Sequence, residues 1–147
     1  MPAKSTEYQK ILSDGTALPG FPWWITVAVV LGSLLILAGG VVAMVRPAML
    51  VSPQDEINGV VHIYAGYLTS RNVTLAGMLL VMLVLRARTA LSNLMVFTAF
   101  IQLLDAVIDC VEGRWPSVPM VLVFGLVFLM GAARLRGVKL WRRQAWE

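Results

Sequence analysis

The chain has 147 residues, of which 59% are hydrophobic and only 14% are charged. Soluble domains carry about 25% charged residues, so this composition, with a mean hydropathy of +0.78, excludes a soluble globular protein and indicates one compact integral membrane domain. The single cysteine, Cys110, excludes an internal disulfide and a cysteine-based metal site.

The first predicted membrane span covers about residues 23–45 and contains no charge. It follows a polar, loop-like segment, residues 1–22, which we expect to be cytoplasmic. Trp23 and Trp24 open the span and are typical of the aromatic belt at a membrane surface. Arg46 and Pro47 end it. About 20 apolar residues are enough to cross the hydrocarbon core.

The second predicted helix begins after a start signal. Ser52, Pro53 and the acidic pair at 55–56 form a helix-capping pattern, which predicts a helix from near Pro53 to Leu85. A helix of that length is about 50 Å long and exceeds the ~30 Å hydrocarbon core. We therefore expect its first part to lie at the interface, with a bend near Gly59 or Gly66, and the membrane span to cover about residues 62–85.

A short basic turn and two further spans complete the predicted fold. The third span covers about residues 89–111 and the fourth about residues 117–134, with a loop between them. Together, residues 23–136 predict an all-α, four-helix membrane bundle, and residues 137–147 form a basic tail.

The distribution of basic residues predicts the orientation of the bundle. Four spans place both termini on one side of the membrane. That side carries Lys4, Lys10, Arg86, Arg88, Arg134, Arg136, Lys139, Arg142 and Arg143, and the other side carries Arg46, Arg71 and Arg114. The positive-inside rule therefore predicts cytoplasmic termini in a bacterial inner membrane or its equivalent. This bias explains the net basic charge of the chain without a nucleic-acid partner. A C-terminal patch that binds anionic lipids is the alternative explanation.

The third span carries a polar stripe. At about 100° per residue, Thr98, Gln102, Asp105, Asp109 and Glu112 fall on one helix face. Acidic groups in a membrane span are costly, so they face a protein interior or a wet cavity. The other faces of this span are apolar.

The second helix brings polar residues to the same depth. Tyr64, Tyr67 and Arg71 share one face, Asn72 follows, and His62 lies on another face. Since the second helix starts outside and the third ends outside, these groups meet the aspartates near the outer leaflet. The sequence therefore predicts a polar cleft between helices 2 and 3 at that level.

The acidic pair has a structural and a catalytic interpretation. In the structural one, Arg71 forms an ion pair that joins helices 2 and 3. In the catalytic one, a single arginine cannot neutralise two partly desolvated carboxylates, so the deeper Asp105 is a candidate general acid, with Asp109 or His62 as base. The candidate catalytic residues are Asp105, Asp109 and His62, and the candidate substrate-binding residues are Arg71, Asn72, Tyr64, Tyr67, Gln102 and Trp115.

Simpler interpretations stand beside these assignments. A lone histidine near an interface is often just a polar residue that meets water, and the tyrosines and Trp115 suit an aromatic belt. Gln102 and Thr98 suit interhelical hydrogen bonds. Asp105 and Asp109 also have a spacing that suits Mg²⁺, but we assign no metal and no cofactor.

Several short elements resemble a known group of proteins. At these elements the chain resembles the small four-helix bacterial membrane proteins of the broad DoxX-like group. The elements are Pro47, Glu56, Tyr64-Ala-Gly66, Arg71-Asn72, the Leu85–Arg88 turn with Ala90-Leu91, and the acidic third span. The resemblance covers roughly residues 46–112 and implies a four-helix bundle, but it does not extend to the aspartate pair. Those relatives more often have Tyr-Gly-Gly where this chain has Tyr64-Ala-Gly66.

Two functions follow as hypotheses. The first is a membrane-embedded enzyme that performs acid–base chemistry on a lipophilic substrate, such as an isomerisation, a cyclisation or an epoxide opening. The second is a non-catalytic subunit that binds a lipid, a quinone, another membrane protein or a second copy of the chain. A proton-coupled transporter is disfavoured because the cytoplasmic halves of the spans lack polar residues.

Overall fold

The computed structural model describes residues 21–49 and 56–137. Within them lie four α-helices: α1 (Trp23–Val45), α2 (Gly59–Val84), α3 (Arg88–Val111) and α4 (Val118–Arg136), with a short 3-10 turn at Pro47–Met49. Each of the four is long and apolar enough to cross a membrane, which confirms the predicted all-α fold with four span-length helices. The predicted N-terminal segment lies outside the described residues except for its last two, and the basic tail except for Gly137.

The start of α2 differs from the sequence-based expectation. Residues 56–58 are not helical, and the helix begins at Gly59. The Asn58 side-chain oxygen accepts hydrogen bonds from the amides of Val60 (3.1 Å) and Val61 (3.2 Å). The first amides of a helix lack partners within the helix, so this cap fixes the start. The helix therefore does not run back uninterrupted to Pro53, which lies outside the described residues.

The bundle consists of two tightly packed hairpins, α1–α2 and α3–α4, which contact each other less extensively. In the first hairpin, the Thr69 hydroxyl lies 2.8 Å from the Gly40 carbonyl oxygen and 2.7 Å from the Ala65 carbonyl oxygen, and shares its one proton between them. Gly40 lacks a side chain, so the α2 backbone at Thr69 approaches closely. Small residues permit this close approach in membrane helices.

The second hairpin is joined by a polar clasp near the start of α3. The buried Ser92 hydroxyl donates to the Ala132 carbonyl oxygen across 3.1 Å. Arg136 Nε donates to Ser92 Oγ across 2.8 Å, and the same guanidinium also bonds to Asn93. The clasp ties the last turn of α4 to the first turns of α3.

The two ends of the bundle differ in the polarity of the side chains packed inside them. We call the end with residues 85–87 the turn end, and the end with the 46–58 and 112–117 connections the loop end. The Arg88 guanidinium lies over the Phe21 ring at the turn end. The apolar core occupies this half, formed by Ile25, Val29, Leu79, Leu91, Met95, Val96, Ala99, Phe128 and Ala132. Apart from the Ser92 clasp, the polar side chains of α2 and α3 meet in the other half.

Candidate functional site

A cavity of about 310 Å³ lies between the four helices in the half of the bundle toward the loop end. Ligand pockets range from about 300 to 1,000 Å³, so this cavity suits a small molecule. Its polar lining comes from α2, α3 and the loop: Arg71, Asn72, Thr98, Gln102, Asp105, Asp109 and Arg114. Its lining from α1 and α4 is apolar apart from glycine backbone: Gly32, Leu35, Ile36, Gly39, Met120, Val121 and Phe124.

The polar stripe of α3 supplies most of the polar lining. Thr98, Gln102, Asp105 and Asp109 all line the cavity, because helical periodicity puts them on one face. The Thr98 hydroxyl is already used, since it donates to the Leu94 carbonyl oxygen across 2.8 Å. Glu112, the fifth member of the predicted stripe, is exposed and lies outside the lining.

Asp105 forms an ion pair with Arg71 across the gap between the two hairpins. Arg71 Nη2 donates to Asp105 Oδ2 at 3.2 Å. The two side chains are 40% and 31% exposed, so the pair is not sealed inside the protein. No hydrogen bond to Asp105 Oδ1 from any residue in the described part of the chain is found, so one oxygen of this cavity-lining carboxylate is open to a further partner.

Asp109 has a different environment and its own arginine. Arg114 Nη2 lies 3.0 Å from Asp109 Oδ1, and the Ser117 hydroxyl donates to Asp109 Oδ2 across 2.6 Å. The Asp109 side chain is only 13% exposed. Both of its oxygens are therefore occupied by the loop that leads into α4, and the assumption that one arginine serves both aspartates is wrong.

Arg114 and Ser117 were not predicted as partners of Asp109, and Arg114 entered only the charge count of one membrane side. The available signal was the short distance along the chain, since a basic residue and a hydroxyl residue follow Asp109 within eight residues. The loop bends back because Gly113 adopts a positive φ of 71°, a conformation that favours glycine.

Asn72 and Gln102 were predicted to bind substrate, and both line the cavity. Within residues 21–49 and 56–137, no hydrogen bond involves either side-chain amide. Each amide offers donors and an acceptor. Together with Arg71 and the open Asp105 oxygen, they form a group of polar atoms available to a bound molecule.

The remaining predicted site residues lie outside this lining. Tyr64, Tyr67 and Trp115 are 69%, 71% and 64% exposed, and His62 is also exposed. The inward face of α2 carries Ala65, Asn72 and Leu79 instead, so the two tyrosines point away from the bundle. Arg71 shares their side of the helix, but its side chain reaches Asp105.

No protein-family model, curated protein or solved structure matches this chain. The resemblance to the DoxX-like group therefore stays a prediction. The function has to be argued from the geometry of the cavity alone.

The cavity offers little to a metal ion. In the part of the chain that the structure describes, no three His, Cys, Asp or Glu side chains come together as a metal site. The two aspartates that line the cavity each contact an arginine. What the arrangement can do chemically is hold a small molecule beside a carboxylate that has one open oxygen.

Proposed function

We propose that this protein is a small membrane-embedded enzyme that performs acid–base chemistry on a lipophilic molecule bound in the cavity. The observation that carries the proposal is the position of Asp105. Its carboxylate lies on the wall of a cavity whose opposite wall is apolar, with one oxygen held by Arg71 and the other open. A carboxylate in such a place is within reach of a bound molecule, as general acid–base catalysis requires.

Among the candidate reactions, isomerisation is favoured because it needs only one acid–base group. A single carboxylate can remove a proton from one carbon and return it to another. Cyclisation and epoxide opening more often need a separate acid and base. Asp109 is already bonded to Ser117 and Arg114, and His62 lies outside the cavity lining. Asp105 is therefore the proposed proton-transfer group, with Arg71 holding it in position.

The proposed setting is a bacterial inner membrane or its equivalent, with both termini in the cytoplasm. The excess of basic residues on the side of the termini supports this orientation. The loop end of the bundle then lies at the outer surface, and the cavity lies at the level of the outer leaflet. A lipophilic substrate would reach it from the lipid, since α1 and α4 contact each other only lightly beside it.

The proposal is tested by mass spectrometry of small molecules extracted from the purified protein. Wild type is compared with Asp105→Asn and with Glu112→Gln, a control at an exposed carboxylate outside the lining. A specific compound that is chemically changed in extracts of Asp105→Asn alone supports the enzyme. Identical bulk phospholipids in all three samples argue against it.

A second candidate function is a non-catalytic membrane subunit, and one property of α2 favours it. This helix has the lowest mean hydropathy of the four and also the smallest buried share. Ser70 and Thr74 lie on its exposed side, and polar groups in lipid favour pairing with another helix. A partner or a second copy of the chain would cover this face. Co-purification of one membrane protein across several mild detergents, with an empty cavity, would favour the subunit over the enzyme.

A further inference from the structure

The polar side chains of the cavity lining are confined to one side of it. Arg71, Asn72, Gln102 and Asp105 lie on α2 and α3 among apolar residues of the same helices, whereas the lining from α1 and α4 carries no polar side chain. A molecule that fills the cavity therefore places a polar group against α2 and α3 and an apolar body against α1 and α4. A cavity near 310 Å³ is at the small end for ligands, so the molecule is compact.

The charges of the lining are balanced. Arg71 pairs with Asp105, and Arg114 pairs with Asp109. A charged ligand would add a third charge to one of these pairs and remain without a partner of its own, which is costly away from water. A neutral polar group meets no such cost, because the open groups are hydrogen-bonding atoms rather than unpaired charges.

We infer that the substrate is a neutral, lipophilic ketone, bound with its carbonyl oxygen toward the guanidinium of Arg71. Arginine offers five N–H donors and no acceptor, and among the described residues Asp105 is the only hydrogen-bond partner of the Arg71 side chain. The amides of Asn72 and Gln102 offer further donors on the same wall. The inference rests on the proposed function, because a carbonyl makes the neighbouring carbon acidic enough for a carboxylate to remove its proton.

The corresponding reaction is the shift of a double bond into conjugation with the carbonyl. Asp105 takes a proton from the carbon between the carbonyl and the double bond, and the electron pair of that C–H bond forms the dienolate. The negative charge that develops on the oxygen is stabilised by the guanidinium of Arg71, which lines the cavity. Asp105 then delivers a proton to the far carbon of the double bond. This is either the proton that it took or one exchanged with solvent, since the Asp105 side chain is 31% exposed. Protons and electrons balance without a metal or a redox partner.

Binding and chemistry are measured separately on the full-length protein in lipid nanodiscs. The probes are a butyl-substituted cyclohexenone with its double bond outside conjugation, and the carboxylic acid and the amine with the same ring and chain. Calorimetry gives the affinities, and NMR in D₂O follows exchange of the hydrogens beside the carbonyl together with isomerisation. The proteins are wild type, Asp105→Asn and the control Glu112→Gln.

The ketone is expected to bind wild type more tightly than the acid and the amine. Asp105→Asn should keep ketone binding, lose exchange by about 100-fold or more, and gain about tenfold in affinity for the acid, because Arg71 then lacks its anionic partner. Preference of wild type for the acid or the amine, or no ketone binding, overturns the ligand assignment. Ketone binding with neither protein-dependent exchange nor isomerisation leaves the ligand assignment standing and instead overturns the proposed enzyme.

Discussion

The hydroxyl of Ser117 donates to the carboxylate of Asp109 across 2.6 Å, and so joins the end of α3 to the residue that precedes α4. Arg114 completes the arrangement from within the loop. Asp105 lies one turn earlier on the same helix face, and among the described residues its only polar partner is Arg71, whose side chain is 40% exposed. Both aspartates line the cavity, but Asp109 is bonded to the loop before α4, whereas Asp105 is bonded to α2.

Replacement of Asp109 by alanine is expected to destabilise the protein. The change removes the acceptor of the Ser117 hydroxyl and the partner of Arg114 at a largely buried site. We expect the free energy of unfolding to fall by about 1–3 kcal/mol, measured by SDS titration in mixed micelles. Glu112→Ala, at an exposed neighbouring carboxylate, serves as control. Equal stability of the two variants would show that Asp109 does not stabilise the loop.

Replacement of Asp105 by asparagine is expected to leave stability nearly unchanged. The side chains of the Arg71–Asp105 pair are 40% and 31% exposed, and exposed ion pairs contribute only about 0–1 kcal/mol. A double-mutant cycle with Arg71→Gln measures the coupling in the same unfolding assay. A coupling as large as that of a buried network would mean that the pair holds the hairpins together and is not available for catalysis.

The contact between Gly32 and Phe128 predicts a steric effect. A Cβ at Gly32 would lie 2.5 Å from Cζ of the buried Phe128 ring, so Gly32→Ala forces the ring or the α1 helix to move. Overpacking of this kind costs about 1–3 kcal/mol. Gly66→Ala is the matched control, since nothing lies within 4 Å of a Cβ there. Combining Gly32→Ala with Phe128→Leu should restore part of the loss, and no recovery would contradict the contact.

Removal of the Ser92 hydroxyl should weaken the packing of α3 on α4 at the turn end. Ser92 is fully buried and accepts from Arg136 while it donates to Ala132. Ser92→Ala is expected to lower the free energy of unfolding by about 0.5–1.5 kcal/mol. Ser70→Ala, on the exposed side of α2, should have little effect in the monomer. A similar loss at both positions would show that Ser70 is covered by a partner.

The proposed orientation predicts the behaviour of C-terminal reporters. A fluorescent protein that folds only in the cytoplasm should be bright when fused after Glu147, and an alkaline phosphatase that is active only outside should be inactive there. Fusion of the phosphatase within the 112–117 loop should give activity. The reverse pattern would place the cavity at the level of the inner leaflet.

The helices were accessible to sequence reasoning because long apolar runs between charged turns leave few other structures in a membrane. The inward stripe of α3 was equally accessible, because Thr98, Gln102, Asp105 and Asp109 repeat with the helical period and line the cavity. For this stripe, the spacing of the residues along the sequence was enough to predict which α3 side chains share the face that lines the cavity.

The partners of individual side chains were not accessible in this way. Arg114 meets Asp109 only because the loop turns back at Gly113, and periodicity contains no information about a loop. The tyrosines of α2 share a helix side with Arg71, yet only the longer side chain enters the lining. The tight packing within each hairpin, which decides which face of α2 is covered, depends on small residues such as Gly40 and cannot be read from hydropathy.

The division into two hairpins has a consequence for biosynthesis. The ribosome completes α1 and α2 first, and these can pack on each other before α3 leaves the translocation channel. Met120, Val121 and Phe124 of α4 form part of the cavity lining, so the cavity is complete only after the last helix has been inserted. A truncated product with three helices would lack one wall of the cavity, and a nascent chain does not enclose it before synthesis ends.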